Sequence, residues 1–96
     1  MKRALTLLLP DGWKGQVVDL SATGMRVRSV AVIPRNTELE GTLILPDGEP
    51  VQIVGTVVWA RPPDHLHSVP AEFGVRLNDV PDTYFSALVR LFADQP

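Results

Sequence analysis

An apolar run, Val17-Val18, stops at Asp19-Leu20-Ser21-Ala22-Thr23-Gly24, and a second alternating run starts at once with Met25. Two short polar side chains and a glycine therefore fall where two strands should meet. Asp and Ser favour such places because their side chains bond nearby backbone groups in turns. The pattern of short strands broken by turn residues recurs along the chain. Residues 3–9 read as a strand with Leu5, Leu7 and Leu9 on one face. Pro10-Asp11-Gly12 is a turn, because Pro fixes φ and Gly allows φ > 0, and residues 15–20 form the return strand. Residues 25–30 put Met25, Val27 and Ser29 on one face and Arg26, Arg28 and Val30 on the other.

After a break at Pro34-Arg35-Asn36-Thr37, residues 38–45 form another strand, ended by Pro46-Asp47-Gly48-Glu49-Pro50. Leu43-Ile44-Leu45-Pro46-Asp47-Gly48 echoes Leu7-Leu8-Leu9-Pro10-Asp11-Gly12, which implies two similar hairpins rather than a repeat architecture. Residues 51–60 are the strongest strand, rich in β-branched residues and carrying Trp59. Gly55 within it marks a bulge or a close backbone approach. Residues 61–70 read as a loop, with Pro62, Pro63 and Pro70, and residues 72–77 as the last strand. The period then changes. Tyr84, Phe85, Leu88, Leu91 and Phe92 recur at helical spacing after Asp79 and Pro81, which suit a helix start. The expectation is a mainly β domain over residues 1–96, with six short strands and one C-terminal α-helix. An antiparallel sheet of that size removes its edges by closing into a barrel, whose mouth or side the helix would cover.

Cysteine is absent, which excludes disulfides, thiolate zinc sites and a cysteine nucleophile. The longest all-leucine stretch, Leu7-Leu8-Leu9, is far short of a membrane span. The start, Met1-Lys2-Arg3-Ala4-Leu5, breaks at Pro10-Asp11-Gly12 before a signal-like apolar region forms, so a cytoplasmic location is expected. The net charge of −2 argues against a DNA or RNA binder. The charge is nevertheless sorted. Residues 1–35 hold six basic groups against two acids, and residues 36–96 hold three against nine, so an anion site belongs in the first third.

Asp19-Leu20-Ser21-Ala22-Thr23-Gly24 is similar to the Asp/Asn-x-Ser-x-x-Gly motif of the PilZ family. Gly55-Thr56-Val57-Val58-Trp59 followed by Phe73-Gly74-Val75-Arg76-Leu77 resembles the later strand pair of that family, and residues 80–92 resemble its closing helix. The resemblance covers nearly the whole chain. It implies a six-stranded antiparallel β-barrel that binds the bacterial second messenger cyclic di-GMP and regulates a protein partner in motility, chemotaxis, secretion or signalling. The second family signature, Arg-x-x-x-Arg upstream of the first strand, is incomplete. Arg3 stands in for one member, and the other is expected to be lost or to precede residue 1.

The ligand chemistry implied by the resemblance assigns roles to individual residues. Guanine presents adjacent N–H donors on its Watson–Crick edge, which an acceptor-only carboxylate matches; that residue would be Asp19, with Ser21 beside it and Gly24 letting the backbone turn closely. Arginine forks recognise guanine O6/N7 and phosphate and stack on bases. Lys2, Arg3, Arg26 and Arg28 are the cations available to replace the missing pair in part. Charge-assisted bonds are worth about 1.5–3 kcal/mol each, and about 1.4 kcal/mol is tenfold in affinity. Loss of the pair therefore predicts a weak or degenerate binder. Trp59, and less so Trp13, is the candidate to stack a guanine, with Arg61 next to it.

Plainer readings stand beside these. Asp19 and Ser21 also make a good turn by themselves, Arg26 and Arg28 suit a solvated strand face, and the helical stripe suits core packing or a partner surface. A PilZ-fold adaptor that binds proteins and no nucleotide is the alternative function. Asp64-His65-Leu66-His67 offers two imidazoles without a third ligand nearby, and the Ser21, His65, Asp64 combination lacks a nucleophile elbow. The chain is therefore expected to be neither an enzyme nor a holder of a metal or cofactor.

Overall fold

The computed structural model describes residues 5–10, 12–30, 32–46, 48–79 and 81–93, with residues 92 and 93 described by backbone alone. Its elements follow the sequence pattern: β1 (Leu5–Leu8), β2 (Lys14–Leu20), β3 (Gly24–Ser29), β4 (Glu38–Ile44), β5 (Pro50–Arg61), β6 (Ala71–Leu77) and α1 (Asp82–Ala93). The strands close into an antiparallel barrel in the order β1-β2-β3-β6-β5-β4, with β1 sealing the ring by pairing β4 as well as β2. Closure gives each strand a hydrogen-bonded neighbour on both sides, which removes the free edges of an open sheet.

Alternation sets what lies inside. Met25, Val75 and Val57 share one inward row across β3, β6 and β5, and Val27 and Phe73 begin the next. Leu7, Val27, Leu43, Ile53, Val57 and Phe73 are sealed in the interior. Gly55 is needed for close approach rather than for a bulge, because a Cβ there would lie 2.6 Å from Val75 Cγ1 and 2.8 Å from the Arg76 carbonyl oxygen.

The two bulges fall elsewhere. β2 shifts register between Val17 and Asp19, and β5 between Val57 and Trp59. In each strand one extra valine, Val18 or Val58, is accommodated opposite a regular partner. A bulge adds a residue to one strand and so reverses the facing of everything beyond it. Under strict alternation Val17 and Asp19 would both point inward, as would Val57 and Trp59. The extra residue instead leaves Val17 and Val57 in the core and turns Asp19 and Trp59 to the outside.

The segment 61–70 is less open than its prolines suggest. β5 runs on to Arg61, and Asp64 and Val69 exchange backbone hydrogen bonds of 2.8 and 2.9 Å at a small hairpin tip. Beyond β6, the Pro81 carbonyl accepts from the Tyr84 and Phe85 amides and starts α1, with Asp82 in the first turn and Arg90 in the last, as the helix dipole favours. Tyr84, Ala87 and Leu88 are buried against the barrel, with Leu91 partly so. Phe85 departs from the expected apolar stripe and is 55 % exposed, as Val89 is one turn later at 56 %. The Phe92 side chain lies outside the described residues. Among the described residues no helix is long and apolar enough to cross a membrane.

Candidate functional site

The two bulges assemble the site. Asp19 pairs in register with Arg26, Arg26 with Gly74, and Gly74 with Trp59, so one outward row crosses four strands, β2-β3-β6-β5. The Trp59 indole lies on Gly74: any Cβ at residue 74 would overlap its Nε1 and Cε2 atoms. Trp59 is still 40 % exposed, so one face of the ring is supported by backbone and the other is available. This row runs through an open groove of about 360 Å³ lined by Asp19, Ser21, Arg26, Trp59, Gly74 and Arg76 among others.

One end of the groove is the 21–24 turn. The Ser21 amide donates to the Gly24 carbonyl at 2.9 Å, the Ser21 hydroxyl donates to the same oxygen at 3.3 Å, and the Thr23 amide donates to Ser21 Oγ at 3.4 Å. The Leu20 amide donates to Asp19 Oδ1 at 3.0 Å, and Asp19 and Ser21 are both exposed. Gly24 is needed for a close backbone approach. It does not take a positive φ; a Cβ there would collide with the Val75 carbonyl oxygen across β3–β6. The turn is held from beneath by α1. The Tyr84 hydroxyl donates to the Ser21 carbonyl at 2.7 Å and, more weakly, to that of Gly24 at 3.4 Å. Burial pushes the Tyr84 phenol up to about 12, so it remains a donor throughout the physiological range.

The neighbouring outward row is ionic. Gln16, Arg28, Glu72 and Arg61 align across the same four strands. Glu72 is only 6 % exposed, beneath three half-exposed guanidiniums. Arg28 Nε lies 3.2 Å from Glu72 Oε2, Arg26 Nε 3.5 Å from Oε1, and Arg61 Nη2 3.6 Å from Oε2. A carboxylate this buried requires cationic or hydrogen-bonding partners. Arg76, on the far side of Gly74 from Glu72, completes a face with four guanidiniums and two carboxylates, on a chain whose net charge is −2.

Asp19, Ser21, Gly24, Arg26 and Trp59, named from the sequence, thus come together on one face. Lys2 and Arg3 lie outside the described residues. Arg28 and Arg61 stand one row away. Trp13 is half-exposed in the β1–β2 connection and takes no part in the groove. Sequence reasoning did not single out Gly74, the seat of Trp59, or Glu72 and Arg76. Outward alternation along β6 places these three together, a signal readable once the strand's inward face is fixed by Phe73 and Val75. His67 Nδ1 meets Asp64 Oδ2 at 2.7 Å, while the Ser21 hydroxyl is engaged by its own turn. Among the described residues no group of three His, Cys, Asp or Glu is placed to hold a metal.

A carboxylate, a guanidinium and a one-sided aromatic shelf in line suit a planar ligand with N–H donors and negative charge. No curated protein matches the chain. A solved structure of the Bacillus subtilis inhibitor of motility (MotI/DgrA) is similar in fold, with a TM-score of 0.65 at 13 % identity. The similarity covers 97 % of this chain and 48 % of that one, so the chain spans about half its length. The family model for the PilZ domain matches residues 2–94, and the chain belongs to the PilZ domain family.

Proposed function

We propose that this PilZ domain is a non-enzymatic regulatory module that binds cyclic di-GMP weakly on its β2-β3-β6-β5 face and acts on a motility or signalling partner in the cytoplasm. The single observation that carries the reading is the row Asp19–Arg26–Gly74–Trp59 on the open groove. A guanine laid on the free face of Trp59 has the Arg26 fork two strands away in the same row, across Gly74. The Asp19 carboxylate, exposed beyond it, offers acceptors to guanine N–H groups. Stacking on one aromatic ring contributes about 1–3 kcal/mol by comparison with other nucleic-acid sites. The fold likeness to the motility inhibitor supports a motility partner. Calorimetric titration with cyclic di-GMP at moderate salt tests the reading: saturable heat should be lost in Asp19→Ala and Trp59→Ala.

The second reading, a protein adaptor without a nucleotide, draws on the 21–24 turn. Ser21 is engaged by Gly24 and Thr23, and one Asp19 oxygen already accepts from Leu20, so the motif also closes upon itself. Absence of heat with cyclic di-GMP, together with retained binding to a protein partner, favours this reading.

A further inference from the structure

We infer that Arg28 and Arg61, held in place by Glu72, form a phosphodiester clamp beside the Trp59 shelf, an inference that rests on the nucleotide reading above and extends its site by one row. The geometry is a small grid. Arg26 and Arg28 lie two residues apart on β3, Gly74 and Glu72 on β6, and Trp59 and Arg61 on β5. Neighbouring strands are roughly 4.8 Å apart and alternate residues of one strand roughly 6.8 Å. A base stacked on Trp59 therefore has its sugar-phosphate within reach of the next row. A cyclic dinucleotide carries its phosphates in a ring joined to the bases, which matches a shelf and a cationic row side by side.

The charge distribution points the same way. Three guanidiniums converge on one carboxylate, a surplus of positive charge that like-charge repulsion across strands disfavours. An external anion on top of the cluster relieves it. Of the three arginines, only Arg28 is near enough and aligned to hydrogen-bond Glu72, at 3.2 Å. Arg26 and Arg61 approach at 3.5 and 3.6 Å, as ion pairs without a hydrogen bond, and Arg28 engages Glu72 through Nε alone, so Arg28 and Arg61 both retain donors for a phosphate oxygen. Glu72, buried below them, fixes the forks from one side while their half-exposed ends face solvent. These strand arginines would supply contacts that an Arg-x-x-x-Arg pair would otherwise make.

The test follows arginine Nε–Hε, indole and backbone resonances by NMR in the whole chain, titrated with cyclic di-GMP and, separately, with inorganic pyrophosphate. Arg28 and Arg61 Nε signals should shift saturably together with the Trp59 indole. Arg61→Gln should weaken cyclic di-GMP binding roughly tenfold or more, the loss of one charge-assisted contact, whereas Arg90→Gln on α1 should leave it unchanged. If the Trp59 and 19–24 signals respond to cyclic di-GMP while both arginines stay still and Arg28→Gln and Arg61→Gln bind as well as the parent, the clamp is refuted and the nucleotide reading stands. If cyclic di-GMP shifts nothing, the nucleotide reading fails and the phosphodiester clamp fails with it, even where pyrophosphate moves both arginines as a bare anion. Arginine signals indifferent to both ligands overturn the clamp. Unchanged amide spectra elsewhere in each variant certify the fold.

Discussion

Trp59 rests on Gly74, its register partner across β5–β6, with the indole occupying the space a side chain at residue 74 would fill. The contact sets the height and tilt of the aromatic shelf. Gly74→Ala must push the ring away or displace β6. Overpacking of this kind costs about 1–3 kcal/mol, and ligand affinity should fall as far as it does in Trp59→Ala. Thermal melts and calorimetry on both variants check this. Gly74→Ala in a Trp59→Ala background should recover most of the stability loss, because the collision is gone.

Tyr84 ties α1 to the motif turn through its 2.7 Å bond to the Ser21 carbonyl. Tyr84→Phe keeps the packing and removes this bond, at a cost of about 1 kcal/mol. That corresponds to a fall in Tm of roughly 4–8 °C for a domain of this size. The 19–24 amides should exchange faster in the variant, read by hydrogen exchange.

The Tyr84 phenol is raised from 10.0 to about 12 by burial, so the folded state holds its proton more tightly than the unfolded chain. Its contribution is complete below pH 10 and is lost as pH rises through about 12. Stability should therefore decline across that alkaline window by something on the order of 2 kcal/mol. Urea melts between pH 9 and about 12 should show the decline in the parent, and a shallower one in Tyr84→Phe.

Glu72 neutralises part of the charge of Arg26, Arg28 and Arg61. Glu72→Gln leaves three close guanidiniums without their carboxylate. Breaking a fully buried pair costs about 3–5 kcal/mol; with the arginines half-exposed, a loss of about 1–2 kcal/mol is expected. High salt should narrow the difference by screening the repulsion, as denaturant melts at low and high ionic strength will show.

The barrel was legible in the sequence because its information is local. Alternating leucines and valines, cut by Pro-Asp-Gly turns, specify strands and inward faces, and Tyr84 and Leu88 specify the buried helix face. The site was legible only as residue types. Asp19 and Trp59 reach the outside because Val18 and Val58 are bulged, and neither doublet, Val17-Val18 or Val57-Val58, reveals which valine will be extra. Gly55 reads in the sequence as either a bulge or a close backbone approach, and the second holds, because Val75 and the Arg76 backbone come close to it. The convergence of Arg28 and Arg61 on Glu72 depends on β3-β6-β5 order, which joins strands distant in sequence. Phe85 follows the helical apolar spacing but faces solvent, since α1 is wide enough in contact to bury only the Tyr84, Ala87 and Leu88 side.

The most direct measurement is the dissociation constant of cyclic di-GMP for the parent chain, Asp19→Ala and Trp59→Ala, by calorimetry at moderate salt. Saturable binding between about micromolar and about millimolar is expected, weakened about tenfold or more in each variant. A flat titration up to about 1 mM ligand, or an affinity that neither substitution changes, would contradict it.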